Sequence, residues 1–167
     1  MRLWILLLSM ALVGCVSAPI SAPTGEATAQ DQIQGRLSVT QPNRRDTAGF
    51  GYRRIGTLQQ WDFTGPAGGA LGSLFISPEL TRWQPSKGEP LTALDPQVLA
   101  QQALGINLPL QHAAKWLSGE APSSDQLDGW ELSYRKWDEE MRPKILDISK
   151  DNIRVRVAIK QWQYNPN

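Results

Sequence analysis

From residue 153 the chain alternates without a break: Ile153, Val155, Val157 and Ile159 are apolar, while Arg154, Arg156 and Lys160 point the other way. Period-2 alternation puts successive side chains on opposite faces, so this run predicts a strand with one dry and one wet face. A sheet built from such strands is antiparallel by default. The same pattern recurs along the chain. Ile33, Leu37 and Val39 oppose Gln34, Arg36 and Ser38; Phe50 and Tyr52 alternate with Gly49 and Gly51; Trp61 and Phe63 flank Asp62. Leu74 and Ile76 flank Phe75, Trp130, Leu132 and Tyr134 oppose Glu131, Ser133 and Arg135, and Leu146 and Ile148 flank Asp147. The fold class is therefore mainly β.

Helical patterning is confined to the middle. Asp95-Pro96 supplies an N-cap and a first helical residue, Leu99, Ala100, Ala103 and Leu104 form an apolar stripe, and Gly105 closes the segment. A second short helix is expected from Pro109 to Gly119, with Leu110, Ala113, Ala114 and Leu117 at helical spacing. The order is strands, two short helices, then strands, with no internal repeat. A chain of 167 residues and 41% hydrophobic content has room for one such domain, expected over 32–167, plus a leader.

That leader begins with Arg2 and an apolar run from Leu3 to Val13, roughly half of the ~20 residues that a membrane-spanning helix needs. It ends in Leu12-Val13-Gly14-Cys15, with small residues just before the sole cysteine. This resembles the lipobox of bacterial lipoproteins, which implies a signal peptide over 1–14 and an acylated Cys15 as lipid anchor. Val16 follows, where an Asp would mark inner-membrane retention under the enterobacterial sorting rule, so the expected location is the outer membrane of a Gram-negative bacterium, facing the periplasm. Residues 16–31 are rich in Pro, Ala, Ser and Thr without apolar periodicity and read as a linker with a reach of roughly 20–25 Å.

Catalytic and nucleotide signatures are missing from the sequence. Lys and Arg total 17 against 16 for Asp and Glu, a balance that gives no reason to expect nucleic acid. One Cys and one His supply no multi-residue metal site. The glycine-rich stretch Gly65-Pro-Ala-Gly-Gly-Ala-Leu-Gly-Ser73 lacks the Gly-Lys-Ser/Thr ending of a phosphate loop. His112 has no Gly-x-Ser-x-Gly nucleophile to serve and reads as a partly exposed surface residue, and Asp138, Glu139 and Glu140 read as a solvated turn. No enzyme activity, cofactor or metal is expected.

What stands out is a stock of large apolar side chains on strands: Trp61, Phe63, Phe75, Trp83, Trp130, Tyr134 and Trp162. They suit either an ordinary core or the wall of a lipid cavity, because a curved antiparallel sheet encloses a ligand when its own side chains do not fill it. Periodicity leaves both open.

The middle of the chain reads Leu104-Gly105-Ile106-Asn107-Leu108-Pro109-Leu110, then Trp116-Leu117-x-Gly119-x-x-Pro122. Gly129-Trp130-x-x-x-Tyr134, Pro143-x-x-Leu146 and a basic-apolar last strand ending at Trp162 follow. Taken in order with the lipobox, this resembles the family of the outer-membrane lipoprotein receptor LolB. The resemblance implies an open antiparallel half-barrel of about eleven strands covered by short helices as a lid. Its apolar interior would take the acyl chains of a lipoprotein from the soluble carrier LolA and deliver the cargo to outer-membrane phospholipid, the receptor acting as a monomer. The implied acyl-chain cavity draws on Phe50, Trp61, Phe63, Phe75, Trp83, Leu110, Trp116, Leu117, Trp130, Tyr134 and Trp162.

The family also carries a protruding loop with an exposed leucine in a Pro-Leu-Gly context that assists insertion into the membrane. Here the loop includes Pro66, Ala67 and Gly68; an ungapped match places Ala67 at the leucine, and Leu71 is the residue expected to serve as apolar tip. Ala113 stands where the family usually has a larger apolar residue, implying a roomier pocket or looser lid. Arg36, Arg44, Arg45, Arg53 and Arg54 concentrate positive charge in the first strands, either steering an acidic carrier rim or forming a solvated outer face. The alternative is an outer-membrane lipoprotein with a similar half-barrel that binds another amphiphile or acts as an envelope scaffold.

Overall fold

The computed structural model describes residues 31–123 and 127–164; the expected signal segment, Cys15 and the linker up to residue 30 lie outside the described residues. Each alternating run forms a strand, and two further strands, the fifth and sixth, arise where no alternation was read: β1 (Asp31–Gln41), β2 (Arg44–Ile55), β3 (Leu58–Thr64), β4 (Ala70–Ile76), β5 (Thr81–Pro85), β6 (Leu91–Ala93), β7 (Glu131–Trp137), β8 (Pro143–Lys150) and β9 (Ile153–Tyr164). They make one sheet, in the order β6-β5-β4-β3-β2-β1-β9-β8-β7, with every neighbouring pair antiparallel. Hairpin follows hairpin from β1 to β6 and again from β7 to β9; the helices carry the chain from one edge to the other, and β9 pairs with β1. Because β6 and β7 remain as edges, the sheet is open.

The described residues hold nine strands where about eleven were expected. Strands β1, β2 and β9 take 11, 12 and 12 residues, and the described stretch between β6 and β7 goes to helices and loops. Register shifts between Gln34 and Gly35, between Phe63 and Thr64, and within 134–137 mark irregularities that bend strands and deepen their twist. At the first of these, Gly35 leaves room for its neighbours. A Cβ there would lie 2.4 Å from the Ala158 carbonyl oxygen and 2.7 Å from the Phe50 ring.

Both expected helices form. Helix α1 (Pro96–Leu104) starts where the Asp95 carboxylate accepts from the Gln97 N–H at 2.9 Å and stops at Gly105, whose φ of 74° permits the left-handed cap. The second segment is a 3₁₀ turn, Leu110–His112, running into α2 (Ala113–Ser118), which ends at Gly119. The 3₁₀ start replaces the helix expected directly after Pro109. Helix α1 packs on β4, β5 and β6, and the helices cover the apolar face of the sheet.

The core is therefore two-layered: the inner face of the sheet against α1, α2 and the loop between them. Ile33, Leu37, Leu74, Leu146, Ile148, Val155 and Val157 are almost wholly buried on the sheet side, and Leu99, Leu110, Ala113 and Leu117 on the helix side. Each large side chain moved from water into this layer contributes ~1.5–3 kcal/mol. The outer face is wet, with one exception. Asp147 is 3% exposed because Arg135 and Arg156 close over it, donating at 3.1 Å from Arg135 Nε and at 2.7 and 3.0 Å from Arg156 Nε and Nη2.

Candidate functional site: an aromatic interior and its mouth

Trp61 on β3 is the centre of the inner face. Period-2 spacing puts it beside Phe63 on its own strand, and register puts it opposite Tyr52 and Leu74 on the neighbouring strands. Its ring lies 4.9 Å from Tyr52, 5.4 Å from Phe50 and 6.0 Å from Phe63, the last stacked nearly parallel. From the helix side, Trp116 approaches it at 6.1 Å, and Phe63 continues to Trp83 at 6.2 Å. These spacings lie within the range of favourable aromatic pairs. A chain of aromatic rings thus runs from α2 across β2, β3 and β5.

Of the residues expected to line a cavity, Phe50, Trp61, Phe63, Trp83, Leu110, Trp116, Leu117 and Trp130 fall in this one buried cluster, with Tyr134 and Trp162 packed against it. Phe75 does not. It lies between the buried Leu74 and Ile76, so the pleat turns it to the outer face, opposite Gln60 and Arg82. Tyr52, Ile106 and Leu108 belong to the interior although they were absent from the expected set. Tyr52 shares its face with Phe50, two residues away. Ile106 and Leu108 sit in a loop, so their alternation with Asn107 and Pro109 belongs to no strand.

Three polar tips anchor the interior at its borders. The Trp130 indole donates to the Asn107 carbonyl at 3.1 Å, the Tyr134 hydroxyl to the Trp116 carbonyl at 3.0 Å, and the Trp162 indole to the Pro143 carbonyl at 3.2 Å. Gln59 ties β3 to the 3₁₀ turn through the Gln111 carbonyl at 2.9 Å. In this arrangement the interior is occupied by its own side chains; Trp61 and Trp116 are both 0% exposed. Ala113, where a larger residue was the family expectation, is likewise buried in the cluster.

An opening lies where the end of α1 meets β1, β2 and the β3–β4 loop. It is a cleft of about 450 Å³ whose lining mixes apolar Leu37, Val39, Leu104 and Leu71 with polar Arg44, Arg45, Asp46 and Gln102. The loop is a tight turn, with the Gly68 N–H donating to the Gly65 carbonyl at 2.9 Å and the Gly65 N–H to the Gly69 carbonyl at 2.8 Å. Pro66 and Ala67 are its central, exposed residues. Leu71 lies beyond the turn, in β4, and is 43% exposed. The outward apolar group at this end is thus carried at the base of the loop, while Ala67 takes its tip. A second depression, of about 680 Å³, lies on the outer face over Gly49 and Gly51. Arg36, Lys160, Asp62 and Thr64 wall it, which suits it to water rather than to hydrocarbon.

Charge is arranged outside the interior. Of the five clustered arginines, Arg44 pairs with Asp46 at 2.5 Å, Arg53 with Asp62 at 3.8 Å and Arg54 with Asp31 at 2.7 Å, so much of the patch is locally neutralised. Burial pushes the Tyr52 phenol well above its ordinary value, and burial together with Glu120 raises that of Tyr134 to about 12. His112 is half-buried, and burial and the nearby Lys115 lower its pKa from the ordinary histidine value.

The described residues thus form an open antiparallel sheet whose apolar face is roofed by short helices, with aromatic rings between the layers and a cleft at one end. The family model for the outer membrane lipoprotein LolB matches residues 30–162, nearly the whole described domain. Among curated relatives, outer-membrane lipoprotein LolB of Dechloromonas aromatica is 27% identical over 99% of this chain and 99% of its own length. That of Marinobacter nauticus is 30% identical over 80% and 75%, and that of Alkalilimnicola ehrlichii 25% over 96% and 95%. A crystal structure of a LolA superfamily protein from Nitrosomonas europaea superposes with a TM-score of 0.48 at 12% identity, covering 83% of this chain and 88% of that one. The chain belongs to the outer-membrane lipoprotein LolB family, and its role lies in the localisation of outer-membrane lipoproteins.

Proposed function

We propose that this protein, held on the outer membrane through an acylated Cys15, receives lipoproteins from a LolA-type carrier between its sheet and its helices and passes them to outer-membrane phospholipid. The observation that carries this is the aromatic interior beneath a short helix. Helix α2 has six residues, and side-chain hydrogen bonds from Tyr134 and Gln59 join it and the preceding turn to the sheet. Lifting that roof exchanges contacts among Trp61, Trp116 and Leu117 for contacts with acyl chains. Exposing the cargo's chains to water instead would cost ~0.8 kcal/mol per methylene. Passing them between two apolar interiors avoids most of that cost, so the transfer runs downhill in affinity from carrier to receptor to bilayer.

The test mixes the Cys15→Ala chain, made without its signal segment and so unacylated, with LolA carrying a labelled lipoprotein and follows the label by pull-down. Transfer is expected; its failure with a folded chain and a competent carrier overturns the reading and leaves the amphiphile-binding or scaffold alternative. Leu71, exposed at the mouth, acts in delivery rather than acceptance. Leu71→Glu on the acylated chain is expected to keep transfer from LolA and to lower insertion into phospholipid vesicles severalfold.

A further inference from the structure

Three donors of the aromatic interior are treated differently from the rest. Trp61, Trp116 and Tyr52 are 0%, 0% and 2% exposed, and the two indole N–H groups and the phenol hydroxyl have no hydrogen-bond partner. They are neighbours, with ring centroids 4.9 Å apart for Tyr52 and Trp61 and 6.1 Å for Trp61 and Trp116. One lies on β2, one on β3 and one on α2, so they span the seam where sheet and roof meet. The border donors Trp130, Tyr134 and Trp162 all reach backbone carbonyls of the chain itself. A buried donor left unmet destabilises the fold, and a phenylalanine ring in any of the three places would pack without that cost.

We infer that Tyr52, Trp61 and Trp116 form a polar contact point inside the apolar cradle for the ester or amide carbonyl at the head of an acyl chain. This rests on the acyl-binding role proposed above and adds a selectivity to it. An alkane offers these donors nothing, whereas an acyl ester or amide brings carbonyl oxygens that accept from N–H and O–H. The aromatic faces then solvate the chain while their polar edges recognise the linkage that makes it an acyl chain. Separating Trp116 from Trp61 as α2 lifts opens the seam between the two rings.

The experiment measures quenching of tryptophan fluorescence in the Cys15→Ala chain by two guests of equal chain length, methyl 9,10-dibromostearate and 9,10-dibromooctadecane. The ester is expected to bind about three- to tenfold more tightly, the equivalent of one neutral hydrogen bond. Tyr52→Phe should lower that ester-to-alkane ratio severalfold and not reduce the melting temperature of the guest-free protein. Trp61→Phe and Trp116→Phe alter ring volume as well, but volume acts on both guests and cancels in the ratio. Equal affinities in the parent chain, or a ratio unmoved in all three variants, overturn the inference while leaving acyl binding intact. Binding of neither guest takes down both. Displacement of the ester by a synthetic triacylated cysteinyl peptide identifies lipoprotein as the source of the carbonyl, and displacement by phosphatidylethanolamine identifies phospholipid; displacement by neither overturns the contact.

Discussion

The hydroxyl of Tyr134 donates to the backbone carbonyl of Trp116 at 3.0 Å, joining edge strand β7 to helix α2. The last four carbonyls of a helix have no partner within it, and Trp116 supplies one of them. The bond therefore completes the helix and fastens it to the sheet at the same time. The ring of the same Trp116 faces Trp61, so one residue is held from both sides.

Removing that bond should loosen the roof more than the sheet. Tyr134→Phe is expected to lower stability by about 1 kcal/mol, read as a shift in the urea midpoint. Amide exchange in Ala113–Ser118 should accelerate while β1 and β9 stay protected. An unchanged midpoint with unchanged exchange would show that the bond does not hold α2 down.

Alkaline pH should weaken the same fold. The Tyr134 phenol is raised from 10.0 to about 12, and that of Tyr52 is raised as well, in both cases chiefly by burial. A raised value means that the folded state holds its proton more tightly than the unfolded state, so the stabilisation is whole below about pH 10 and is lost as pH rises above it. Melting temperatures taken from pH 8 upward should fall from about pH 10. The Tyr52→Phe/Tyr134→Phe double variant should show a shallower fall, and parallel curves would count against burial of the phenols as the cause.

On the outer face, the Asp147 carboxylate is held below the usual carboxylate range, first by its hydrogen bonds from Arg156, then by Arg135. Its stabilisation is present above the ordinary value of 3.8 and is lost as pH falls through and below it. Asp147→Asn should cost about 1.5–3 kcal/mol near neutrality, the range for hydrogen bonds to a charged group. The difference from the parent should shrink in acid. A constant difference across the titration would show that the carboxylate's charge is not what binds the arginines.

Two glycines on neighbouring strands make opposite demands. Gly35→Ala places a methyl 2.4 Å from the Ala158 carbonyl oxygen, a backbone atom that cannot step aside, and is expected to cost about 1–3 kcal/mol. Gly51→Ala meets nothing closer than the Asp62 Cβ at 4.0 Å and should leave stability within about 0.5 kcal/mol. Chemical denaturation of both variants checks the contrast, and equal losses would contradict the packing at Gly35.

Much of this architecture is carried by local chemistry. Alternation at 153–159 dictates which side of β9 is dry, and the same logic places Phe50, Trp61 and Phe63 on one face, because a strand has only two faces. Asp95, Gly105 and Gly119 bound their helices because a capping carboxylate and a left-handed glycine act within a few residues. The same local rule also signals that Phe75 faces away from Leu74 and Ile76, so an interior assignment resting on its size alone is overturned by its position.

Tertiary structure decided what lies far apart in sequence. The pairing of β1 with β9, the meeting of Trp61 with Trp116, and the capture of Ile106 and Leu108 all join residues with no local pattern to announce them. Whether a buried donor finds a partner is decided the same way: Trp130 reaches Asn107 while Trp61 reaches nothing, although both are buried tryptophans of the same core. Periodicity fixes the direction of a side chain because it follows from backbone geometry alone. What that side chain meets depends on which strand, helix or loop arrives opposite it, and that is set only when the whole sheet and its roof have closed.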